Sequence, residues 1–177
     1  MPTRINTRDF TDTLPALMSE LTRGSPDHAT PTYMLNRGDE GLLRSLERLS
    51  ASAASVGVNG GSSIAGHVDH VRYGLSLLNR WAAGDRTVWK DADWTTAWQT
   101  QTVSDADWQR LRDDLRREVD AWIAALGTER EVFTEELRWM TGSIAHFAYH
   151  LGAIRQIDRS TRGPTADEDR TRTRGST

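Results

Sequence analysis

The 177-residue sequence contains no cysteine. Without thiols the chain cannot form disulfides, thiolate zinc sites or a cysteine nucleophile. A soft metal ion would have to be held by histidine or carboxylate side chains. The chemistry of any site is therefore restricted to histidine, aspartate, glutamate and hydroxyl groups.

Long apolar segments are also absent. No stretch approaches the roughly 20 apolar residues that a membrane-spanning helix needs. The first ten residues, MPTRINTRDF, lack the apolar core of a signal peptide. We therefore expect a cytoplasmic protein that has no membrane partner.

Positive charge is scarce and scattered. The formal net charge is −3, and Lys90 is the single lysine. The arginines are interspersed with acidic residues, whereas a nucleic-acid-binding protein usually carries a positive patch or stripe. We therefore predict no nucleic-acid partner, and function must come from local groups of residues.

The apolar pattern predicts an all-α protein with one hydrophobic core. No segment shows a convincing period-two alternation, so a sheet is not expected. We predict an N-terminal arm with one amphipathic helical stretch over residues 1–37, a four-helix bundle over 38–158, and a polar C-terminal tail over 159–177 that is disordered.

Four amphipathic stretches predict the core helices. They cover about residues 39–56, 63–82, 104–127 and 134–158, and the last could also start directly after Thr128. Ser62 or Ser63 is expected to cap the second of these helices, and Ser104 the third. Gly152 in the fourth helix is expected to allow close approach of a neighbouring helix. Residues 85–103 contain tryptophans without periodicity, which predicts a long crossover link between the second and third helices. A link of this length suggests that the two helices are not adjacent.

Two histidine pairs carry the clearest chemical signal. His146 and His150 are four residues apart, so both lie on one helix face and could clamp a metal ion. No glutamate follows His146 directly, which excludes an H-E-x-x-H peptidase site. His67 and His70 form a second pair on the second predicted helix, although separately satisfied histidines would give the same pattern. Three imidazoles from two helices would leave an open coordination position, as in catalytic zinc sites.

The residues do not decide which histidine of the second helix completes the site. Helical periodicity favours His67, because it lies on the flank of the apolar stripe Ile64, Val68, Val71, whereas His70 lies further around the helix. A site in a wet groove at the edge of the core would suit His70 as well.

Two segments resemble motifs of the DinB/YfiT-like superfamily. SIAGHVDHVRYGLSLLNRW resembles its second-helix motif, and AHFAYHLGAIRQ resembles its fourth-helix motif, in which the second histidine precedes Leu-Gly. Weaker similarities extend the resemblance to about residues 33–158. The resemblance implies a four-helix bundle that binds zinc or nickel through His70, His146 and His150, and it implies a homodimer.

The resemblance also suggests a class of reaction. Some members are transferases or isomerases that use mycothiol, bacillithiol or glutathione, and others are known only as stress- or damage-induced proteins. Our first hypothesis is therefore a metal-dependent enzyme in which a metal-bound low-molecular-weight thiolate attacks an electrophile. The alternative is a non-catalytic metal-binding stress protein. Hydrolysis is disfavoured because no carboxylate base accompanies the histidine pair.

Other candidate residues have structural as well as functional interpretations. Arg155 could bind the carboxylate of a thiol, or it could pair with Asp158 or Glu131. Asp69 is expected to face solvent. The tryptophans of the link could line a pocket or cover the core.

Overall fold

A computed structural model describes residues 4–25 and 31–166 of the protein. These residues form six α-helices and two three-residue strands, so the prediction of an all-α fold is confirmed. In chain order the elements are β1 (Arg4–Asn6), α1 (Thr13–Arg23), α2 (Gly41–Glu47), α3 (Ala51–Ala54), α4 (Ile64–Ala82), α5 (Asp105–Leu126), β2 (Glu131–Phe133) and α6 (Thr134–Ile157).

Helices α4 and α5 are parallel neighbours. At the start of α4 the Ser63 N–H donates to Gln101, which lies just before α5. Further along both helices, Asn79 donates to the Glu118 side chain. The link between them is long because the chain must return along the 19-residue α4, about 28 Å, before α5 can start. The expectation that the linked helices are not adjacent is therefore wrong.

Helix α6 runs antiparallel to α4. Near the start of α6, Glu136 accepts a hydrogen bond from Trp81 at the end of α4. Near the end of α6, His150 contacts His67 in the first turn of α4. The antiparallel arrangement places the second half of α6 beside the first half of α4, where the histidine pairs of both helices lie.

Helix α1 contributes to the same core as the long helices. Leu14, Met18 and Leu21 are buried, and α1 contacts α2, α5 and α6. The predicted domain boundary between residues 37 and 38 therefore separates residues that share one hydrophobic core. The sequence suggested an arm because α1 is short and is followed by the segment GSPDHATP, which contains two prolines and a glycine.

The predicted helix over residues 39–56 is divided into α2 and α3. The apolar spacing continues through Leu49, but the backbone leaves the helix there, and Ser50 starts α3 by accepting from the Ala53 N–H. The Leu49 carbonyl accepts a hydrogen bond of 2.9 Å from the indole Nε1 of Trp108 on α5. The side chain of another helix thus satisfies a backbone carbonyl at the interruption.

The other predicted helix starts agree with the structure. The hydroxyl of Ser63 caps α4 and that of Ser104 caps α5, each accepting from a backbone N–H three residues later. Helix α6 begins at Thr134, the later of the two predicted starts. The residues before it form β2, which pairs antiparallel with β1 and places Ile5 opposite the buried Val132.

Gly152 does not have the packing role that the sequence suggested. It lies on the exposed side of α6, and a methyl group at this position would meet no atom within 4 Å. The core face of this part of α6 is formed by Phe147, Leu151 and Ile154 instead. The expected close approach of another helix at Gly152 is therefore wrong.

The predicted tail is described only as far as residue 166. Its first residues lie against the rest of the protein: Thr161 is buried, and Asn36 donates to the carbonyl of Pro164 at 2.7 Å. The disorder predicted for residues 167–177 falls outside the described residues, as do residues 26–30 of the predicted arm. No helix in the described part of the chain is long and apolar enough to cross a membrane.

Candidate metal centre

Four histidines meet where the first half of α4 lies beside the second half of α6. His67 and His70 are three residues apart on α4, and His146 and His150 are four apart on α6. Because the helices are antiparallel, His67 contacts His150 and His70 contacts His146. The structure therefore brings together all the histidines that the sequence indicated.

The Nε2 atoms of three of these histidines converge. His146 Nε2 lies 3.2 Å from His70 Nε2 and 3.0 Å from His150 Nε2. One ring nitrogen of each residue lies within 4.8 Å of the other two. A tetrahedral ion with bonds of about 2.0–2.1 Å would separate its nitrogen ligands by about 3.3 Å. The three side chains therefore fit a divalent metal ion with little movement of the helices.

The cluster has a buried side and an open side. His70 and His150 are 7% and 2% exposed, whereas His146 is exposed at the protein surface. The buried rings of His70 and His150 would therefore hold a bound ion on its protein side, and a ligand from solvent would reach it from the side of His146. This arrangement is typical of a site that keeps a coordination position for a ligand from solvent.

His67 contacts the cluster through a different ring atom. Its Nδ1 lies 2.9 Å from Nδ1 of His150, while the Nε2 of His150 faces His146. A neutral His150 with a free lone pair on Nε2 carries its proton on Nδ1 and donates it to His67. A partner of this kind fixes the tautomer and the orientation of a metal-binding imidazole.

Burial lowers the pKa of all four histidines. Desolvation is the largest cause, and the neighbouring imidazoles lower the pKa of His70 further, to about 4, and that of His150 to about 3. Asp69 opposes the shift at His70 but is the weakest of its causes. The rings are therefore neutral at pH 7, which is the state that binds metal.

Residues of the link cover the buried side of the cluster. The indole of Trp98 stacks on His70, with ring centroids 4.2 Å apart and planes inclined by 22°, and it meets the edge of His67 at 5.4 Å. Gln101 anchors this part of the link by accepting from the Ser63 N–H at 2.8 Å. The sequence placed tryptophans near the core but gave no signal that one of them stacks on a histidine.

Two residues near the cluster have structural partners. The carboxylate of Asp69 is held by Arg72 and Thr100, and its side chain is 14% exposed, so the expectation that it faces solvent is wrong. The hydroxyl of Tyr73 accepts from the backbone N–H of Asp93 and fixes the link.

Arg155 forms a buried ion pair at the far end of α6. Its guanidinium donates to Asp39 at 2.7 Å, and the two side chains are 16% and 3% exposed. Both interpretations from the sequence, a substrate carboxylate and an ion pair with Asp158 or Glu131, therefore missed its partner. Asp39 lies more than a hundred residues away in the chain, so helical spacing could not indicate it.

A cavity adjoins the open side of the cluster. It has a volume of about 470 Å³, is lined by His70 and His146, and extends between α4, α6 and the link. Most of the remaining lining is apolar and includes Trp89, Trp94 and Trp139. Pockets of this size and composition are typical small-molecule sites.

The fold and the cluster define a class of protein, an all-α helical protein with a candidate three-histidine metal site between two antiparallel helices. The sequence profile of the DinB superfamily matches residues 12–154, and the chain belongs to this superfamily. The match begins one residue before α1 and includes all four histidines of the cluster. No curated protein and no solved structure matches the chain.

Proposed function

We propose that the protein is a divalent-metal-dependent enzyme of the DinB superfamily, with His70, His146 and His150 as its ligands. The convergence of three Nε2 atoms at separations of 3.0–3.2 Å around His146 carries this proposal. Zinc and nickel both suit neutral imidazole ligands. Three protein ligands leave a further position for a small molecule on the exposed side of the site.

The contacts favour His70 over His67 as the ligand from α4. His70 and His150 both direct Nε2 to the same atom of His146, whereas His67 meets the opposite nitrogen of His150. A metal bound between His67 and His150 would need the second ring nitrogen of His150, which turns away from His146. We therefore assign His67 the role of orienting His150.

The proposed reaction is a thiol-dependent transfer or isomerisation. A metal ion at this site would lower the pKa of a coordinated low-molecular-weight thiol and favour its thiolate. The chain has no cysteine of its own to act as the nucleophile. Among the described residues no carboxylate lines the cavity, and Asp69 is held by Arg72 and Thr100, so the site offers little support for hydrolysis by a carboxylate base.

Thermal unfolding with a panel of thiols tests the proposal. Mycothiol, bacillithiol and glutathione are added to metal-free and metal-loaded protein, with the His150→Ala variant as the control. One thiol should raise the melting temperature of the metal-loaded wild type alone, because a ligand stabilises the state that it binds. Bound metal without any thiol effect would identify a non-catalytic metal-binding protein, and a chain that binds no metal would refute the site.

The homodimer stays a proposal that rests on the superfamily. Of the large apolar side chains exposed in the described residues, Tyr149 is the one on a long helix, which makes it a candidate contact for an interface between helix faces. Light scattering that gives the mass of a monomer would reject the homodimer.

A further inference from the structure

The cavity beside the histidines has a distinctive lining. Three indoles, those of Trp89, Trp94 and Trp139, line it together with aliphatic residues of α4 and Phe147 of α6. Among the described residues that line it, Arg138 alone carries a charge, and its guanidinium also pairs with Glu135 outside the cavity at 2.9 Å. An apolar occupant would be favoured here, and a cation would find no lining carboxylate to replace its hydration.

Trp89 also offers a hydrogen-bond donor. Its Nε1 is buried and has no acceptor in the part of the chain that the structure describes. The buried indoles of Trp81 and Trp122, by contrast, donate to Glu136 and Ser143. Buried donors are rarely left unpaired in proteins. A turn of the indole toward the cavity would bring this N–H within reach of an oxygen atom of an occupant.

We infer that this cavity binds the apolar, ring-sized body of an uncharged or anionic substrate that carries an oxygen acceptor. The reacting end of the substrate lies toward His70 and His146, and this orientation rests on the proposed function. Binding of the body itself needs no metal, because burial of apolar surface against the indoles drives it. The assignment of the cavity and the assignment of the metal site can therefore fail independently.

Two glycines of α6 provide a matched pair of variants. Gly142 lines the cavity, whereas Gly152 lies outside it, and a methyl group at either position would meet no atom within 4 Å. Gly142→Leu would add a bulky side chain at the wall of the cavity. Gly152→Leu makes the same chemical change on the same helix and leaves the cavity open.

The experiment is calorimetric titration of the full chain, without metal and with zinc, using three probes of one skeleton: phenylpropanol, phenylpropionate and phenylpropylammonium. The alcohol and the acid should bind to the wild type and to Gly152→Leu, with the ammonium compound at least about tenfold weaker. Gly142→Leu should weaken both binders by about tenfold or more. Trp89→Phe, which keeps a ring and removes the N–H, should weaken them about threefold to tenfold.

Equal affinities in Gly142→Leu and Gly152→Leu would overturn the inference, as would an ammonium probe that binds as tightly as the alcohol. Circular dichroism verifies that each variant is folded, and Gly142→Val replaces Gly142→Leu if the latter is not. Probe binding by a protein that takes up no zinc would leave the cavity assignment intact and refute the metal site. Zinc binding without probe binding would refute the cavity assignment and leave the metal site intact.

Discussion

The two ends of the α4–α6 pair differ in the hydrogen-bond partners of their buried ring nitrogens. At one end, the tryptophan end, Trp81 donates to Glu136 at 3.1 Å and Trp122 donates to Ser143 at 2.9 Å. At the other, the histidine end, four imidazoles contact one another, and Nδ1 of His70 is buried without a partner among the described residues. The α4–α6 pair thus borders two buried indoles with acceptors at one end and a polar cluster with an unpaired buried nitrogen at the other.

This difference indicates that the tryptophan end contributes mainly to stability and the histidine end to function. Buried aromatic side chains with paired N–H groups contribute large apolar areas at no cost in lost hydrogen bonds. Neutral imidazoles packed together are desolvated and gain little from one another until a metal ion binds their lone pairs. Buried polar groups that lack full compensation, such as these imidazoles, are expected at functional sites.

The largest effect on stability is expected at the tryptophan end. Trp122 is 0% exposed, so Trp122→Ala should lower the free energy of unfolding by about 3–5 kcal/mol, through the cavity it leaves and the lost hydrogen bond to Ser143. Urea unfolding of metal-free protein measures this loss. His150→Ala should cost clearly less in the same assay, and a similar loss in both variants would contradict the division between the two ends.

At the histidine end the expected effect is on metal content. His70→Ala and His150→Ala should each lose stoichiometric metal, because they remove an Nε2 atom of the cluster. His67→Ala should retain the metal with affinity reduced by about tenfold to a hundredfold, as is usual when a partner of a ligand is removed. Metal analysis after dialysis measures both. A metal-free His67→Ala beside a metal-loaded His70→Ala would show that His67 is the true ligand.

The sequence predicted those parts of the fold that depend on local chemistry. The pair Ser62 and Ser63 indicated the start of α4, and Ser104 that of α5, because a hydroxyl cap acts within three residues; Ser63 is the cap of α4 in the structure. The division between α2 and α3 was not predictable in this way. It depends on Trp108, which reaches the Leu49 carbonyl from a helix nearly sixty residues later, and apolar spacing alone continued across the break.

The candidate site shows the same limit. Spacing alone put His146 and His150 on one face, and the resemblance chose His70 over His67. Neither could show that the two nitrogens of His150 face different partners, because this depends on how α4 and α6 pack. The stacking of Trp98 on His70 was equally hidden, since an irregular link has no period from which a contact can be inferred.

Removal of the metal should leave the helices intact, because the tryptophan end and the rest of the core do not depend on it. Circular dichroism after chelation should therefore keep its helical signal, whereas complete unfolding would make the metal structural.

The chelated protein should lose stability as the pH falls below about 6.5. His70 and His150 have a pKa of about 4 and about 3 when folded, so the unfolded chain binds more protons in this range.

The pH dependence can be assigned to the histidine end with one variant. Between pH 7 and about pH 5 ordinary carboxylates remain ionised, so they add little to the slope. His150→Ala should therefore show a smaller loss of stability over this range than the chelated wild type. Equal slopes would mean that the buried imidazoles are not the groups that titrate.

The smallest effect concerns two helical glycines that differ in their surroundings. Gly152 is exposed on α6 with no atom within 4 Å of an added methyl group, so Gly152→Ala should raise the free energy of unfolding by about 0.5–1 kcal/mol through helix propensity alone. Gly66 lies in the first turn of α4, where the same methyl group would come within 2.6 Å of the Gln101 side chain. Gly66→Ala should therefore destabilise the protein, because it displaces the side chain that anchors the link at Ser63 over the histidine end. Urea unfolding of the two variants compares them, and stabilisation by both would show that the link is not held at this point.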